Sequence, residues 1–389
     1  MNKQTINIFL SIIILYSSYC AITSGLSWDE GTHLIMGFER LNYFLSLGLD
    51  KIDRSVLTIQ YYPGLTFTVA AFFTTIFPSK FEIEILHLVN LFFSIAAIFG
   101  IYNLSKVFFN KAVARIAFLI TFFNPIFFGH MFMNPKDTVV TSSYVWIIFF
   151  TIKYLKDQLN NEKRKKIILY ISLIGVLGMG ARLAFWGTLL PVVLFIFVDI
   201  FYFKKFICKN FSKKYFFFDI FKIFVISYFV LVLFWPETNG NIIFYPIQYF
   251  FETLGNFQNY GLQGQSGAGM PMGLMNGEYF YANNPPQNYL LVNLLYKLPE
   301  YLILSYIFFI FFIFLEKNNF KKFYNFFYKV TFIVLIFLSA NLMHIFNPYP
   351  TYDGLRHFLY IIPLLSVIPA LTIYMILLKI NNFKFKTAG

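Results

Sequence analysis

The segment from Phe358 to Lys379 reads FLYIIPLLSVIPALTIYMILLK, and its final lysine is the one charged side chain in 22 residues. A helix rises about 1.5 Å per residue, so a segment of this length covers the roughly 30 Å hydrocarbon core of a bilayer. Polar residues do not recur along it at helical spacing, as they would on the exposed face of a helix in a soluble protein. The segment therefore predicts a transmembrane helix.

The rest of the chain repeats this pattern. Of its 389 residues, 58% are hydrophobic, 22% are aromatic and 13% are charged, which is too few charged groups to cover the surface of a soluble protein. Apolar segments of similar length alternate with short polar ones, and no long stretch alternates residue by residue as in a β-barrel. This composition excludes a soluble enzyme, a β-barrel and a disordered chain. It predicts an all-α, polytopic bundle of transmembrane helices.

The net charge of +13 comes from basic residues that are gathered in short loops. Four clusters lie at 156–166, 204–222, 316–329 and 379–386. Excess lysine and arginine in short loops marks the cytoplasmic side of a membrane protein, whereas nucleic-acid binding needs basic residues on one folded face. We therefore place these clusters in the cytoplasm and exclude nucleic acid as a partner.

With the basic clusters inside, the parity of the crossings fixes the other loops. Residues 6–26 are expected to be an uncleaved first span, and ten crossings leave both termini in the cytoplasm. The predicted spans are 6–26, 83–105, 113–131, 138–155, 167–181, 184–203, 219–236, 298–316, 330–345 and 358–379. Residues 1–389 are thus expected to form a single membrane domain.

Three further segments lie outside this set of spans. Residues 27–60 are expected to form a first external loop, and residues 237–297, rich in Gly, Pro, Asn and Gln, a second. The segment 61–78 is apolar but has no crossing to make, because the first span has already brought the chain outside. We expect it to be a re-entrant or interfacial helix, which the membrane tolerates where protein or a cavity surrounds it.

Two adjacent carboxylates, Asp29 and Glu30, follow the first span directly. A carboxylate held at the membrane surface can accept a proton from a hydroxyl or amine nucleophile. The alternative is that Asp29 caps a helix, which Gly31 and the amphipathic run 34–47 would suit. His33, in the same segment, is a weaker candidate for contact with substrate.

A second polar group opens the predicted span 138–155. The free backbone N–H groups of a helix start, together with Lys136, favour an anion there. Asp137 is either the cap of that helix or a second active-site carboxylate. Arg182, between two spans, suits a lipid phosphate, although it would also reach any headgroup.

Two more polar segments belong to the predicted external face. Immediately before the last span, the carboxylate of Asp353 stands beside the potential cations Arg356 and His357, which suits phosphate or sugar binding or simply a charged helix entry. In the second loop, Glu278 and Tyr279 lie among groups that suit sugars and peptides. No metal-ligand spacing, Ser/His/Asp order or Gly-rich nucleotide loop stands out.

Taken in order, these segments resemble the GT-C superfamily of integral-membrane glycosyltransferases. The resemblance is strongest to the bacterial branch that is similar to family-39 protein O-mannosyltransferases and the lipid A aminoarabinose transferase. Asp29-Glu30 resembles the Asp-Glu motif of that family's first external loop, and the NPKD segment 134–137 resembles its second acidic motif. The other similar segments are 60–65, 180–182, 234–236, 277–279, 285–286, 289, 298–299 and 352–357.

The resemblance implies that a sugar passes, with inversion, from a polyprenyl-phosphate donor to an acceptor on the extracytoplasmic side of a bacterial inner membrane. Asp29 would then be the general base, and Asp137 would help to position acceptor or donor. The implied ligands of the donor phosphate are Lys136, Arg182, Arg356 and His357. The implied substrate-binding residues are Glu30, His33, Tyr61, Glu278, Tyr279 and Asp353.

The acceptor fits a lipid, a glycan or a protein, and membrane lipids surround the whole chain. No cofactor is certain, and Gln60 stands where some relatives carry an acidic, metal-linked residue, which puts a divalent metal in doubt. The alternative function is a transporter or lipid flippase that uses the same polar groups as a vestibule. That alternative expects ionisable residues midway along spans, whereas Glu82, Glu84 and His87 lie near one end of theirs.

Overall fold

The computed structural model describes residues 3–27, 29–53, 62–255, 272–315 and 317–387. Within these ranges the chain is a bundle of α-helices with one two-stranded antiparallel sheet. The helices are α1 Lys3–Thr23, α2 Glu30–Leu45, α3 Leu65–Ile76, α4 Glu82–Phe108, α5 Lys111–Phe122, α6 Pro125–His130, α7 Pro135–Asp157, α8 Asn161–Ala181, α9 Phe185–Val198, α10 Lys213–Leu233, α11 Phe244–Gly255, α12 Tyr289–Lys297, α13 Glu300–Leu315, α14 Lys317–Phe320, α15 Phe326–Phe346, α16 Ile362–Leu365 and α17 Val367–Thr387. The strands are β1 Met272–Met275 and β2 Glu278–Tyr281.

Seven helical segments of the described chain are long and apolar enough to cross a membrane. They are Gln4–Thr23, Ser79–Phe108, Pro135–Asp157, Phe185–Phe203, Lys213–Leu233, Phe326–Phe346 and Arg356–Ile380. The pair α12 and α13 adds an eighth if it counts as one span, although the chain bends by 101° between the two helices. The prediction of an all-α polytopic bundle is confirmed.

The two other predicted spans are also helical, but neither is a long apolar helix. The segment 113–131 is divided between α5 and α6, because Asn124 accepts hydrogen bonds from the N–H groups of Ile126 and Phe127 and starts a new helix at Pro125. The segment 167–181 belongs to α8, which begins earlier, inside a basic cluster. The segment 61–78, expected to be a re-entrant or interfacial helix, contains α3, which at 12 residues is too short to span a bilayer. Its relation to the membrane stays a prediction.

Polar caps start several of the helices. Asn110, Asn160 and Ser212 each accept a hydrogen bond from the N–H group three residues later, at 2.9 Å, 3.0 Å and 3.3 Å. Such caps satisfy backbone N–H groups that have no partner within the helix. They fix where α5, α8 and α10 begin.

The basic clusters collect at one end of the bundle, where α4 and α7 end and α8 and α10 begin; we refer to it as the basic end. There Asp219 accepts a 2.7 Å hydrogen bond from the Tyr154 hydroxyl and lies 3.5 Å from the Arg164 guanidinium. Lys329 donates to the Phe108 carbonyl, at 2.5 Å, and so closes the end of α4. The opposite end, where α1 and α8 finish and α7 begins, is called the site end below.

The segment 237–297, predicted to be the second external loop, contains helices and strands in its described part. It carries α11, the hairpin of β1 and β2, and α12. In the hairpin, Met272 lies opposite Tyr281 and Met275 lies opposite Glu278. The turn between the strands uses positive φ at Asn276 and Gly277, which are residues that tolerate this conformation. Aromatic side chains of this loop pack against one another, as Phe280 does against Tyr289.

A buried ion pair anchors α2 at the site end. The Arg40 guanidinium donates to Glu237 at 2.6 Å and to the Tyr62 carbonyl at 2.5 Å, and both charged side chains are fully buried. Gly64 packs directly against this guanidinium, with φ of +72°, so a Cβ at Gly64 would collide with it. The pair therefore joins the first loop, the start of α3 and the segment after α10.

Candidate active site

Three carboxylates meet at one guanidinium at the site end. Arg356 donates from Nε to Asp137 at 2.9 Å, from Nη1 to Asp353 at 3.2 Å, and from Nη2 to Asp29. Both Arg356 and Asp137 are buried, Asp29 is partly buried and Asp353 is 57% exposed. Polar groups from the first loop, the start of α7 and the entry to the last span thus form one cluster.

Asp137 is held by two arginines, one on each carboxylate oxygen. Its Oδ2 accepts from Arg356, and its Oδ1 lies 2.9 Å from Nη2 of Arg182. Asp137 is the third residue of α7, and the residue before that helix is Asn134. Arg182 directly follows α8 and remains 27% exposed. Two cations therefore hold this carboxylate in a fixed position while one of them still faces solvent or a ligand.

Asp29 directly precedes α2 but does not cap it. Its side chain makes no hydrogen bond to the free N–H groups of the helix, and its carboxylate turns to Arg356 instead. Glu30, the first residue of α2, accepts a 2.6 Å hydrogen bond at Oε2 from the N–H of Ser27, which lies before the helix. The capping alternative weighed from the sequence is thus not the one that the structure adopts.

Lys136 is the buried cation of this region that has no carboxylate within ion-pair distance among the described residues. Its side chain is buried, and its ammonium lies 4.7 Å from the centre of the Tyr62 ring. The Lys136 charge holds the pKa of the Tyr62 hydroxyl below its ordinary value. A buried ammonium that lacks a counter-ion is a favourable place for an anion.

His33 lies beside Lys136 on the inner face of α2. Its ring stacks on Phe67 with 4.6 Å between ring centres, and its Nδ1 is buried without a hydrogen-bond partner among the described residues. Burial, and then the charges of Lys136 and Arg356, hold the pKa of this imidazole well below its ordinary value. His33 is therefore neutral at physiological pH and can offer one donor and one acceptor.

Glu30 turns away from the cluster and binds α4. Its Oε2 lies 3.2 Å from Nε2 of His87, and Nδ1 of His87 lies 2.9 Å from the Ala21 carbonyl. Because a carbonyl only accepts, Nδ1 of His87 carries a proton. The hydrogen bond between Nε2 and the Glu30 carboxylate requires a second proton between those two groups. The pair therefore joins the end of α1, the start of α2 and α4. Glu30 has no contact with the cluster to support the substrate role that was expected for it.

Replacing Glu30 by Gln is expected to lower the free energy of unfolding by about 3 kcal/mol, because it removes one partner of a buried ion pair. Burial alone would raise the pKa of the Glu30 carboxyl, but hydrogen bonds from His87 and Ser27 hold it below its ordinary value. A lowered carboxyl pKa contributes stability above the unfolded pKa, and this contribution is lost as the pH falls through the folded pKa.

Thermal unfolding of the purified protein in detergent, at neutral and acidic pH, measures both effects. The variant is expected to unfold at a lower temperature at neutral pH and to lose less stability than wild type on acidification. Equal pH dependence of the two proteins would contradict the ion pair.

A cavity of about 940 Å³ opens next to the cluster. Its polar end is formed by Asp137, Arg182, Arg356 and His357, all at the site end. Its remaining wall is largely apolar and comes mainly from α9, α15 and the segment after α15, with one residue each from α7 and α11 and two from the segment before α16. The apolar lining residues include Val140, Phe185, Leu190, Pro191, Leu194, Phe250, Ala340, Leu342, Met343, Phe346, Pro348, Leu359 and Tyr360.

Some expected site residues lie elsewhere. Glu278 and Tyr279 are exposed on β2, and neither lines the cavity. Tyr61 and Gln60 lie outside the described residues, so their predicted roles stay predictions. In the part of the chain that is described, no group of three His, Cys, Asp or Glu side chains is arranged to hold a metal ion, and the clustered carboxylates face Arg356. These residues therefore do not fit a metal centre.

Two residues of the site were not singled out from the sequence. Tyr62 contacts Lys136, and Tyr360 lines the cavity beside the cluster. The chain contains 27 tyrosines, so tyrosine content alone carries no positional signal. The one indication for Tyr62 was that it belongs to the segment 60–65, which resembles the GT-C superfamily.

Comparison with solved structures identifies the architecture. The crystal structure of ArnT from Cupriavidus metallidurans in the apo state superimposes with a TM-score of 0.59 at 10% sequence identity and covers 95% of this chain. The chain has the GT-C fold. It spans 59% of the length of the ArnT chain.

The sequence comparisons add no closer relative. No family model matches the chain, and no curated protein matches it. The GT-C fold and the apolar helices establish an integral membrane protein of this architecture. At 10% identity, the likeness between this chain and ArnT concerns their fold alone.

Proposed function

We propose that this protein is a membrane glycosyltransferase that moves a sugar from a polyprenyl-phosphate donor to an acceptor, with inversion at the anomeric carbon. The observation that carries the proposal is that Asp137 and Arg356 line the polar end of a largely apolar cavity, while Arg356 also binds Asp29. A donor with a charged phosphate and a hydrocarbon chain needs that combination. The GT-C fold, shared with ArnT, supports it.

The cavity has a polar end and apolar walls, as a donor with a charged phosphate and a hydrocarbon chain requires. Arg182 and His357 line its polar end together with Arg356, while the walls from α9 and α15 are apolar. Several lining residues of these helices, such as Leu194 and Phe346, are themselves more than half exposed on the surface of the bundle. A hydrocarbon chain in the cavity would therefore remain in contact with lipid while its phosphate met the arginines.

In the proposed reaction, an acceptor hydroxyl or amine attacks the anomeric carbon, and the bond from that carbon to the phosphate oxygen breaks. Asp29 takes the proton from the acceptor, and the lipid phosphate leaves as an anion. Asp137, fixed by Arg182 and Arg356, positions the reacting groups. Cations already in place around the departing phosphate contribute about 3–4 kcal/mol for each well-aimed donor in a water-poor site.

Arg356 has a double task in this scheme. In the structure it is bound to Asp29, Asp137 and Asp353, so it holds the proposed base and the positioning carboxylate together. An arriving phosphate would compete with these carboxylates for its N–H groups. Release of Asp29 from Arg356 would then leave the carboxylate free to accept a proton when the donor is bound.

Changing Lys136 to Met is expected to raise the KM for a polyprenyl-phosphate sugar about 10- to 100-fold, because it removes a buried ammonium that has no carboxylate partner in the described part of the chain. The value of kcat should change less than KM. Steady-state kinetics with purified enzyme and varied donor concentration measures both constants. A matched control is Lys163→Met at the basic end, where the side chain is 59% exposed. An unchanged donor KM would remove Lys136 from the donor site.

Glycan and glycolipid mass spectrometry of a deletion strain tests the proposed function itself. Loss of one sugar from one class of acceptor, restored by the wild-type gene and not by an inactive variant, is the expected result. It would identify the sugar and would show whether the acceptor is a lipid, a glycan or a protein. A full set of glycans and glycolipids in the deletion strain would contradict the proposal.

The orientation that fits this function places the site end outside the cytoplasm and both termini inside. The basic end would then face the cytoplasm, as excess lysine and arginine require. The alternative, a transporter or flippase, needs ionisable residues along a path through the membrane. The ionisable residues of the cavity, Asp137, Arg182, Arg356 and His357, gather at its polar end, which favours chemistry there over passage.

A further inference from the structure

The helix α11 (Phe244–Gly255), in the second loop, presents an apolar stripe that no described part of the chain covers. Ile243, immediately before the helix, and Phe244, Ile247 and Phe251 within it are 69%, 57%, 47% and 63% exposed. At about 100° per residue, the three side chains of the helix fall within an arc of about 60°, and Ile243 directly precedes them. The stripe is therefore a single continuous surface of large apolar side chains.

The other faces of α11 are occupied differently. Tyr245 and Tyr249 stack on each other with 6.0 Å between ring centres, and Tyr249 also packs 5.8 Å from Trp235 in the protein. Gln248 and Glu252, beside the stripe, share a 2.7 Å hydrogen bond. The helix thus has a protein-facing side, a polar flank and an apolar flank, which is the distribution of a helix at a membrane interface.

The position of α11 along the bundle fits that interface. The hydroxyl of Tyr228, in the span α10, donates to the Ile242 carbonyl at 2.5 Å. Tyr228 lies five residues before Leu233, the last residue of α10, which corresponds to about 7.5 Å along the helix axis. The chain therefore leaves the end of the span, turns, and returns to the level of its last turns before α11 begins.

The apolar stripe also continues a surface that already faces lipid. Phe229 and Leu233 of α10 are 62% and 66% exposed near the same end of that span. The sequence of α11 contains no lysine or arginine, so attraction to anionic headgroups does not explain its placement. Contact with acyl chains removes these apolar side chains from water, which is favourable, whereas exposure of the stripe to water is not.

We propose that α11 lies in the lipid leaflet at the site end of the bundle, with Ile243, Phe244, Ile247 and Phe251 in contact with acyl chains. Phe250 of the same helix lines the cavity, on the flank opposite to Gln248 and Glu252. A helix immersed in lipid thus supplies part of the cavity wall. The position of α11 in the leaflet does not depend on the proposed transferase activity.

Spin-label accessibility in vesicles tests this placement. Nitroxide labels are attached to Ile247→Cys and Phe251→Cys variants in a background in which Cys20 and Cys208 are replaced by Ser. The protein is reconstituted in phosphatidylcholine vesicles. Collision with oxygen, which partitions into lipid, is compared with collision with a water-soluble nickel chelate. Asn239→Cys, in the exposed turn before α11, is the matched reference in water.

The labels at 247 and 251 are expected to show an oxygen-to-nickel accessibility ratio several-fold higher than the label at 239. Nickel accessibility at 251 equal to that at 239 would place the stripe in water and overturn the proposal. Low accessibility to both reagents would also overturn it, because protein would then cover the stripe. Spin–spin broadening in that case would identify the cover as a second copy of the chain.

Discussion

Replacing Asp29 by Asn is expected to reduce sugar transfer by about 10²–10⁴-fold, the contribution of a positioned general base. The amide has nearly the same shape as the carboxylate but cannot accept a proton from the acceptor. Asp29 is partly exposed and only one of three carboxylates on Arg356, so the variant is expected to fold. The measurement is single-turnover transfer from a polyprenyl-phosphate sugar by purified protein in detergent, with thermal unfolding recorded in parallel.

The same chemical change at Asp50 provides the control for this experiment. Asp50 belongs to the same external loop and is exposed, and its backbone N–H binds the Ser46 side chain. Asp50→Asn is expected to leave transfer unchanged. Full activity of the Asp29→Asn variant would remove Asp29 from the role of base. A loss of activity with a much lower unfolding temperature would show instead that Asp29 acts through stability.

Replacing Arg356 by Ala is expected to impair both stability and activity. It leaves Asp137 buried with one arginine in place of two and removes the partner of Asp29. Breaking a buried ion pair from one side costs about 3–5 kcal/mol. Loss of a cation at the departing phosphate is expected to lower kcat by about 10²–10³-fold. Thermal unfolding and transfer kinetics on the same preparation measure the two effects.

Two further variants separate these effects. Arg164→Ala removes the arginine beside the buried Asp219 at the basic end, so it should lower stability while transfer persists. Arg356→Lys keeps the charge but cannot reach three carboxylates with one planar group. It is expected to recover part of the stability and little of kcat. Transfer at the wild-type rate by Arg356→Lys would show that charge alone suffices and would contradict the bridging role.

Adjacent residues of one motif take different tasks here, and this limits what a motif can predict. Asp29 and Glu30 are neighbours, yet one contacts Arg356 and the other binds His87. Successive side chains at the start of a helix point about 100° apart, so two neighbours cannot face the same group. The sequence predicted both Asp29 and Glu30 as site residues. The orientation of α2 decides that Asp29, and not Glu30, contacts Arg356.

The second loop shows a related limit. Its Gly, Pro, Asn and Gln content predicted an external loop but no helix or strand within it, whereas the described part contains α11, a hairpin and α12. Local propensity is a weak guide where aromatic side chains such as Tyr249 and Phe280 find partners in the bundle. Glu278 and Tyr279 were expected to bind substrate, but the hairpin exposes both of them away from the cavity lining.

The sequence by itself predicts an all-α membrane protein, the order of its helices and the gathering of basic residues at one end. Each depends on the composition of a contiguous segment, because partition into lipid and the charge of short loops are local properties. The candidate site is different. Arg356 meets Asp137 and Asp29 across 219 and 327 residues of chain. Only the packing of α2, α7 and the last span decides which carboxylates share that guanidinium, since no local preference encodes such a contact.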